Sequence, residues 1–233
     1  MDKTFFNQIS ELTRPVGGQY PRPWMTDLED PTHARIFIVG CSPATPYPEN
    51  RLTHERHVNA LFNLKGENCR RLYNEIRNKP SGTRENIDEL TRMLSNRGCR
   101  EILETNAVCY SVPESAKLTK PEHREGRDRG ILIFRTIFSC IRPKVLIVSG
   151  GKSSTLKYLK SSLGIELEPC GQKIDHVPCT FRYAQSLNGE KIHSLIITIR
   201  SLGSPEWNKW QRWADDHFRK IVRMVVEELK PNS

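Results

Sequence analysis

Four short apolar runs, each leaving into small or polar residues, constrain this chain more than any other feature. Ile36-Phe37-Ile38-Val39 runs into Gly40-Cys41-Ser42-Pro43-Ala44. Ile102-Leu103 leads to Asn106 within Glu104–Val112, Val145-Leu146-Ile147-Val148 runs into Ser149-Gly150-Gly151, and Ser194–Thr198 leads into a polar loop at 199–206. Runs this short and this apolar are the pattern of parallel strands buried on both faces. Between them lie segments of helical period: 54–63, 68–77, 86–96 with Thr83 as its cap, 121–140 with Pro121 in its first turn, and 153–162. A last helix is expected over 206–229, carrying Trp207, Trp210 and Trp213 at a spacing typical of core. Strand alternating with helix implies an α/β three-layer sandwich, with a central, mostly parallel four-stranded sheet flanked by helices.

Such a sheet gathers its strand-to-helix exits at one edge, where ligands bind. The exits at 40–53, 106–121, 149–153 and 199–206 therefore define the expected site. Asn106 is the residue there best suited to reading a nucleobase, because a carboxamide presents a donor and an acceptor together. The chain is expected to form one domain over 1–233. Residues 1–33, with four prolines and Gly17-Gly18, read as a wrapping arm after a short helix near Thr4–Thr13. Residues 165–193 read as an insertion with a hairpin turning at Asn188-Gly189.

Composition narrows the function. A formal charge of +9 suits a polyanionic partner such as nucleic acid, or a generic basic surface. The seven cysteines show no Cys-x-x-Cys spacing, which argues against a zinc ribbon, an iron–sulfur cage or a secreted disulfide framework. His54 and His57 share a helix face without a third ligand in view, so no metal and no cofactor are expected. No apolar stretch reaches membrane-spanning length, and Met1-Asp2-Lys3-Thr4 does not begin a signal peptide, so a cytoplasmic protein without membrane contact is expected.

Ser149-Gly-Gly-Lys-Ser-Ser fails as a nucleoside-triphosphate loop, because Leu146 stands where the first glycine belongs. Lys152 and Ser153 remain suited to a backbone phosphate at a helix start, or to a plain strand-to-helix turn. Lys117 and Lys120, in the loop after Asn106, suit a phosphate backbone or a solvated face.

Taken together, these motifs resemble the uracil-DNA glycosylase superfamily over most of 35–229. Gly40-Cys41-Ser42-Pro43-Ala44 is similar to its Gly-x-x-Pro pocket motif, and Asn106-Ala107-Val108 to the segment whose Asn pairs with a flipped pyrimidine. Arg142-Pro143-Lys144-Val145 through Gly150 is similar to its third-strand pattern. The resemblance implies a monofunctional DNA glycosylase that acts as a monomer on a flipped pyrimidine and leaves an abasic site. Phe62 would stack on the base. Ser42, Glu49 and Asn50 are the candidates for positioning water, and Ser201 for holding a phosphate.

Two departures shape the expected substrate. The histidine of the superfamily's last motif is missing from Thr198–Pro205, leaving Arg200 as the cation for the departing base. Ala44 stands where the uracil-specific branch has a tyrosine that blocks pyrimidine C5. A modified base therefore fits the pattern, and the chain is similar to the bacterial anti-phage branch that removes glucosylated hydroxymethylcytosine from phage DNA. Residues 77–100 and 165–193 would then shape a pocket for the sugar. Uracil repair and a non-catalytic DNA-binding protein on the same scaffold are the alternatives.

Overall fold

The computed structural model describes residues 2–77, 81–150, 154–164, 179–187, 190–203 and 211–231, with the backbone alone at 179–187, 190–192 and 211–214. The elements, in chain order, are α1 (Lys3–Leu12), β1 (Gln19–Tyr20), β2 (Trp24–Met25), β3 (Ile36–Gly40), β4 (Tyr47–Pro48), α2 (His54–Leu61), α3 (Cys69–Ile76) and α4 (Gly82–Ser95). They continue with β5 (Ile102–Asn106), α5 (Arg124–Ile141), β6 (Val145–Ser149), α6 (Ser154–Leu163), β7 (Cys179–Leu187), β8 (Glu190–Ile199) and α7 (Gln211–Leu229).

The main sheet has the order β2-β5-β3-β6-β8-β7. Its four central strands are parallel, which is the expected core. Antiparallel β2 and β7 extend it to six strands, beyond the four anticipated. Neither flank announces itself: β2 is too short to show a period, and β7 lies inside the stretch read as an insertion. β1 and β4 form a separate two-stranded ribbon.

Alternation along the strands divides the core in two. Phe37, Val39, Leu103, Leu146, Val148 and Ile196 face α1, α2, α5 and α6, meeting Phe134, Ile137, Phe138 and Leu159. Ile36, Ile38, Ile102, Val145, Ile147, Leu195 and Ile197 face α4 and α7, meeting Leu90, Leu94, Ile221 and Val225. This is the three-layer arrangement. It corrects the reading of 77–100 as a pocket insertion, since α4 supplies one covering layer and packs against α7.

Local boundaries follow capping chemistry. Ser81, not Thr83, caps α4, its hydroxyl accepting from the Arg84 amide at 3.3 Å. Pro121 opens a 3-10 turn over Pro121–His123 that precedes α5. In the β7–β8 hairpin Leu187 lies opposite Glu190; Asn188-Gly189, where the turn is expected, falls outside the described residues. So do Trp207, Trp210 and positions 165–178, and of Trp213 only the backbone is described.

One interior charge needs compensation. Glu104 points to the α4 side of β5 and is buried, so an unpaired carboxylate there would be strongly disfavoured. Arg84 from α4 meets it with both terminal nitrogens, one at 2.7 Å, and Arg70 from α3 adds a third contact at 3.1 Å. Asp88 lies 3.0 Å from each arginine and completes the network.

Candidate functional site

The chain runs from β3 to β5 on one side and then crosses to β6 on the other, so β3 is where the direction of winding reverses. A crevice opens outside the carboxyl ends of strands at such a point. All four central strands end at that edge, at Gly40, Asn106, Ser149 and Ile199. The expected clustering of the exits follows from this topology.

Asn106 is in register with Gly40 across the β5–β3 pair. A Cβ placed on Gly40 would stand 2.6 Å from Asn106 Oδ1, so the carboxamide lies over a position that only glycine leaves open. Beyond this pair the two exit loops are laced together. Ala107 N donates to Gly40 O at 2.9 Å, Val108 N to Cys41 O at 2.9 Å, and Val112 N to Pro43 O at 3.0 Å. Ser111 Oγ continues the seam by donating to Thr45 O at 3.1 Å. The backbone on both sides of Asn106 is thereby fixed, while among the described residues its side-chain amide has no hydrogen-bond partner. A held backbone carrying an unspent donor and acceptor suits recognition of a planar polar edge.

The outer wall is packed by close approach. Tyr110 lies against Gly126 of α5, where a Cβ would overlap its ring, and its hydroxyl is 3.3 Å from His123 Nδ1. Gly130, one turn on, lets α5 approach the Cys109 and Tyr110 amides. Cys109 is fully buried there, and burial pushes its thiol up to about 12, which removes it as a nucleophile at neutral pH.

A short polar chain lies at the start of α6. Cys41 Sγ donates to Ser154 Oγ at 3.2 Å, and Ser154 Oγ donates to Ser115 Oγ at 3.2 Å. On the β8 side, Leu202 N donates to Ser149 Oγ at 2.9 Å, and Asn86 Nδ2 donates to Leu202 O at 2.6 Å. The loop that carries Arg200 and Ser201 is thus pinned to β6 and α4, and both side chains are exposed beyond β8.

The other expected residues separate into groups. Ser42 is half-buried between the two laced carbonyls, and Ala44 is exposed at the lip. Lys117 and Lys120 lie in and after the 3-10 turn Ser115–Thr119, in the loop that follows the Asn106 segment. Lys152 and Ser153 fall outside the described residues. Glu49 and Asn50 are exposed beside the β1–β4 ribbon, where Glu49 N bonds Gly18 O, and they are not part of the Gly40–Asn106 seam.

Phe62 is a correction. It is only 3% exposed and packs against Phe6, Trp24 and Phe5 at 4.8, 5.3 and 6.2 Å, so its ring is spent in the core between α1 and α2. His57 is likewise core: burial pushes it down to about 3, and its Nε2 is 2.8 Å from Pro21 O. Among the described residues no group of three or more His, Cys, Asp or Glu side chains gathers to hold a metal ion, and no helix is long and apolar enough to cross a membrane.

Arg22 was not anticipated. Its amide donates to Cys109 O at 2.7 Å and its guanidinium to Thr45 O at 3.0 Å, so the arm touches both exit loops. The only local signal is its place between Pro21 and Pro23. Neither a comparison with protein-family models nor a search of curated proteins finds a match to this chain.

Proposed function

We propose that the protein is a monofunctional DNA glycosylase that hydrolyses the N-glycosidic bond of a flipped pyrimidine. The observation that carries this reading is the Asn106 carboxamide. It is unpartnered among the described residues, held over Gly40 at the reversal point of a parallel sheet, and fixed by a backbone seam on both sides. An extruded base presents the kind of edge that such an amide pairs with, and the unstacking cost of a few kcal/mol is recovered through pocket and phosphate contacts. The net charge of +9 supports a DNA partner.

In the reaction the C1′–N1 bond breaks and its electron pair leaves with the base. Water oxygen then bonds to C1′ and its proton passes through solvent to the departing base anion, giving the free base and an abasic site. Asn106 orients the base and takes part of its developing charge through the amide N–H. Arg200, on the loop pinned through Leu202, supplies positive charge toward the leaving base. Ser42, half-buried beside the seam, holds the water. Exposed Ala44 leaves the C5 side free of an aromatic ring, which favours a substituted pyrimidine such as a hypermodified phage cytosine over plain uracil.

A second reading has its own observation. The two laced segments, 40–48 and 106–113, contain no Asp, Glu or His, as suits a protein that binds DNA without cleaving it. One assay separates the two. Duplexes carrying uracil, a thymine mismatch or glucosylated hydroxymethylcytosine are incubated with the protein, and alkali-labile sites are scored. Strand breaks after alkali that vanish in Asn106→Ala support the glycosylase. Retained DNA binding with no breaks on any substrate refutes it in favour of the binding protein.

A further inference from the structure

The arm and α3 bring two arginines to one residue at the lip of this site. Arg22 Nη1 donates to Thr45 O at 3.0 Å, and Arg77 Nη1 donates to Thr45 Oγ1. Thr45 belongs to the turn that follows the Gly40 motif, and its carbonyl also accepts from Ser111 in the Asn106 loop. The Arg22 guanidinium lies over two phenol rings, with its central carbon 4.6 Å from the Tyr47 centroid and 5.1 Å from that of Tyr73. Contact with two rings restrains the fork and lowers its cost of desolvation.

Arg22 forms no ion pair with a carboxylate among the described residues, although Arg14, Arg35, Arg56, Arg70, Arg84 and Arg92 all do. It is half-buried, so N–H groups not spent on Thr45 and Tyr47 remain for a ligand. The loop supplies few such donors itself, because Pro43, Pro46 and Pro48 lack amide hydrogens. A guanidinium held against two rings, a second arginine bonded to the same threonine and a donor-poor loop together favour an anion. Guanidinium forks match phosphate oxygens.

We propose that Arg22 and Arg77 form a clamp for a DNA phosphodiester at the lip of the pocket, next to the flipped nucleotide. This rests on the DNA-binding reading above and adds to it a site that neither lysine loop accounts for. The clamp grips the strand where it turns into the crevice, at the turn that also carries Ala44. It thereby couples the hold on the backbone to the position of the pocket wall.

The test measures affinity for a fluorescein-labelled duplex that carries one uncleavable abasic-site analogue, across a salt series. Each lost phosphate contact lowers the slope of log K against log salt by about 0.9, so affinity falls about 3.5-fold less over a fourfold rise in salt. Arg22→Met and Arg77→Met are each expected to lower the slope by about one contact, and the double variant by about two. Arg22→Lys keeps the charge and is expected to keep the slope.

Thermal melts identify any variant that fails to fold; Arg77→Met and Arg22→Lys then carry the comparison. An unchanged slope in the folded double variant overturns the clamp. It is equally overturned if inorganic phosphate raises the melting temperature of the wild type, but not of the double variant, while the DNA slope stays the same, since the pair would then hold a free phosphate. The duplex cannot be cleaved, so loss of the clamp and loss of glycosylase activity are scored independently.

Discussion

If Asn106 reads a base as proposed, Gly40→Ala separates the fold from that reading. The substitution adds one methyl group on the α4 side of β3, directly opposite Asn106. The new Cβ meets Asn106 Oδ1 at 2.6 Å, while the nearest backbone atom, Thr105 O, is 3.9 Å away. The strand can therefore stay in place, and the carboxamide has to move. Replacing a glycine where the backbone tolerates a side chain stabilises by about 0.4–1 kcal/mol through the unfolded state. Turning the Asn106 side chain away from its rotamer costs about 0.5–1.5 kcal/mol. These offset each other, so the variant is expected to unfold within about 1 kcal/mol of the wild type. Activity is not protected in the same way. A well-placed bidentate contact to a base is worth about 1–3 kcal/mol, and losing it reduces kcat/KM by about 5- to 150-fold. Single-turnover excision and urea unfolding, measured side by side, give both quantities. Adding Asn106→Ala to Gly40→Ala should lower the rate no further than Asn106→Ala does alone, because both remove the same interaction. Full activity in Gly40→Ala beside an inactive Asn106→Ala refutes the reasoning, as does loss of several kcal/mol of stability.

Three further outcomes follow from the same geometry. Ala44→Tyr places a ring at the exposed lip and is expected to cut excision of a C5-substituted pyrimidine by more than about tenfold, or ~1.4 kcal/mol, while sparing uracil; parallel rates on matched duplexes measure this. Glu104→Leu leaves Arg84 and Arg70 with only the half-exposed Asp88 carboxylate and should cost about 3 kcal/mol in urea unfolding. Arg84→Met should cost less, because Arg70 still meets the carboxylate. His57 is held near 3 by burial against an ordinary 6.5, so below pH 6.5 the unfolded chain binds a proton that the folded chain refuses. Its contribution is therefore complete above that pH and is lost as the pH falls toward 3, by up to about 1.4 kcal/mol per unit. His57→Phe should flatten the fall in unfolding free energy between about pH 7 and about pH 5, and an unchanged slope would count against the buried neutral ring.

The parallel core was legible in the sequence because burial on both faces leaves a direct mark. Ile36–Val39 and Val145–Val148 have no polar residue to spend on either side. Where the mark is absent, the reading stops. Trp24 and Met25 become a strand only because Thr105 and Glu104 lie opposite to pair with them. Ser81 and Thr83 are both credible caps two residues apart, and nothing in their neighbours ranks them; the choice is made when the Ser81 hydroxyl meets the Arg84 amide. The same limit governs the site. Asn106 could be singled out because a polar residue after an apolar run is visible locally. Its relation to Gly40 could not, since it depends on β5 lying beside β3 in register rather than beside β6. Phe62 failed for the opposite reason: a lone aromatic near a pocket motif looks available until Phe5, Phe6 and Trp24 close around it. Arg22 and Arg84 were missed together. Their partners, Thr45 and Glu104, lie 23 and 20 residues away, and no periodicity links them. Charged side chains that act across elements carry no repeat of their own, so they emerge only when the topology has brought their partners to them.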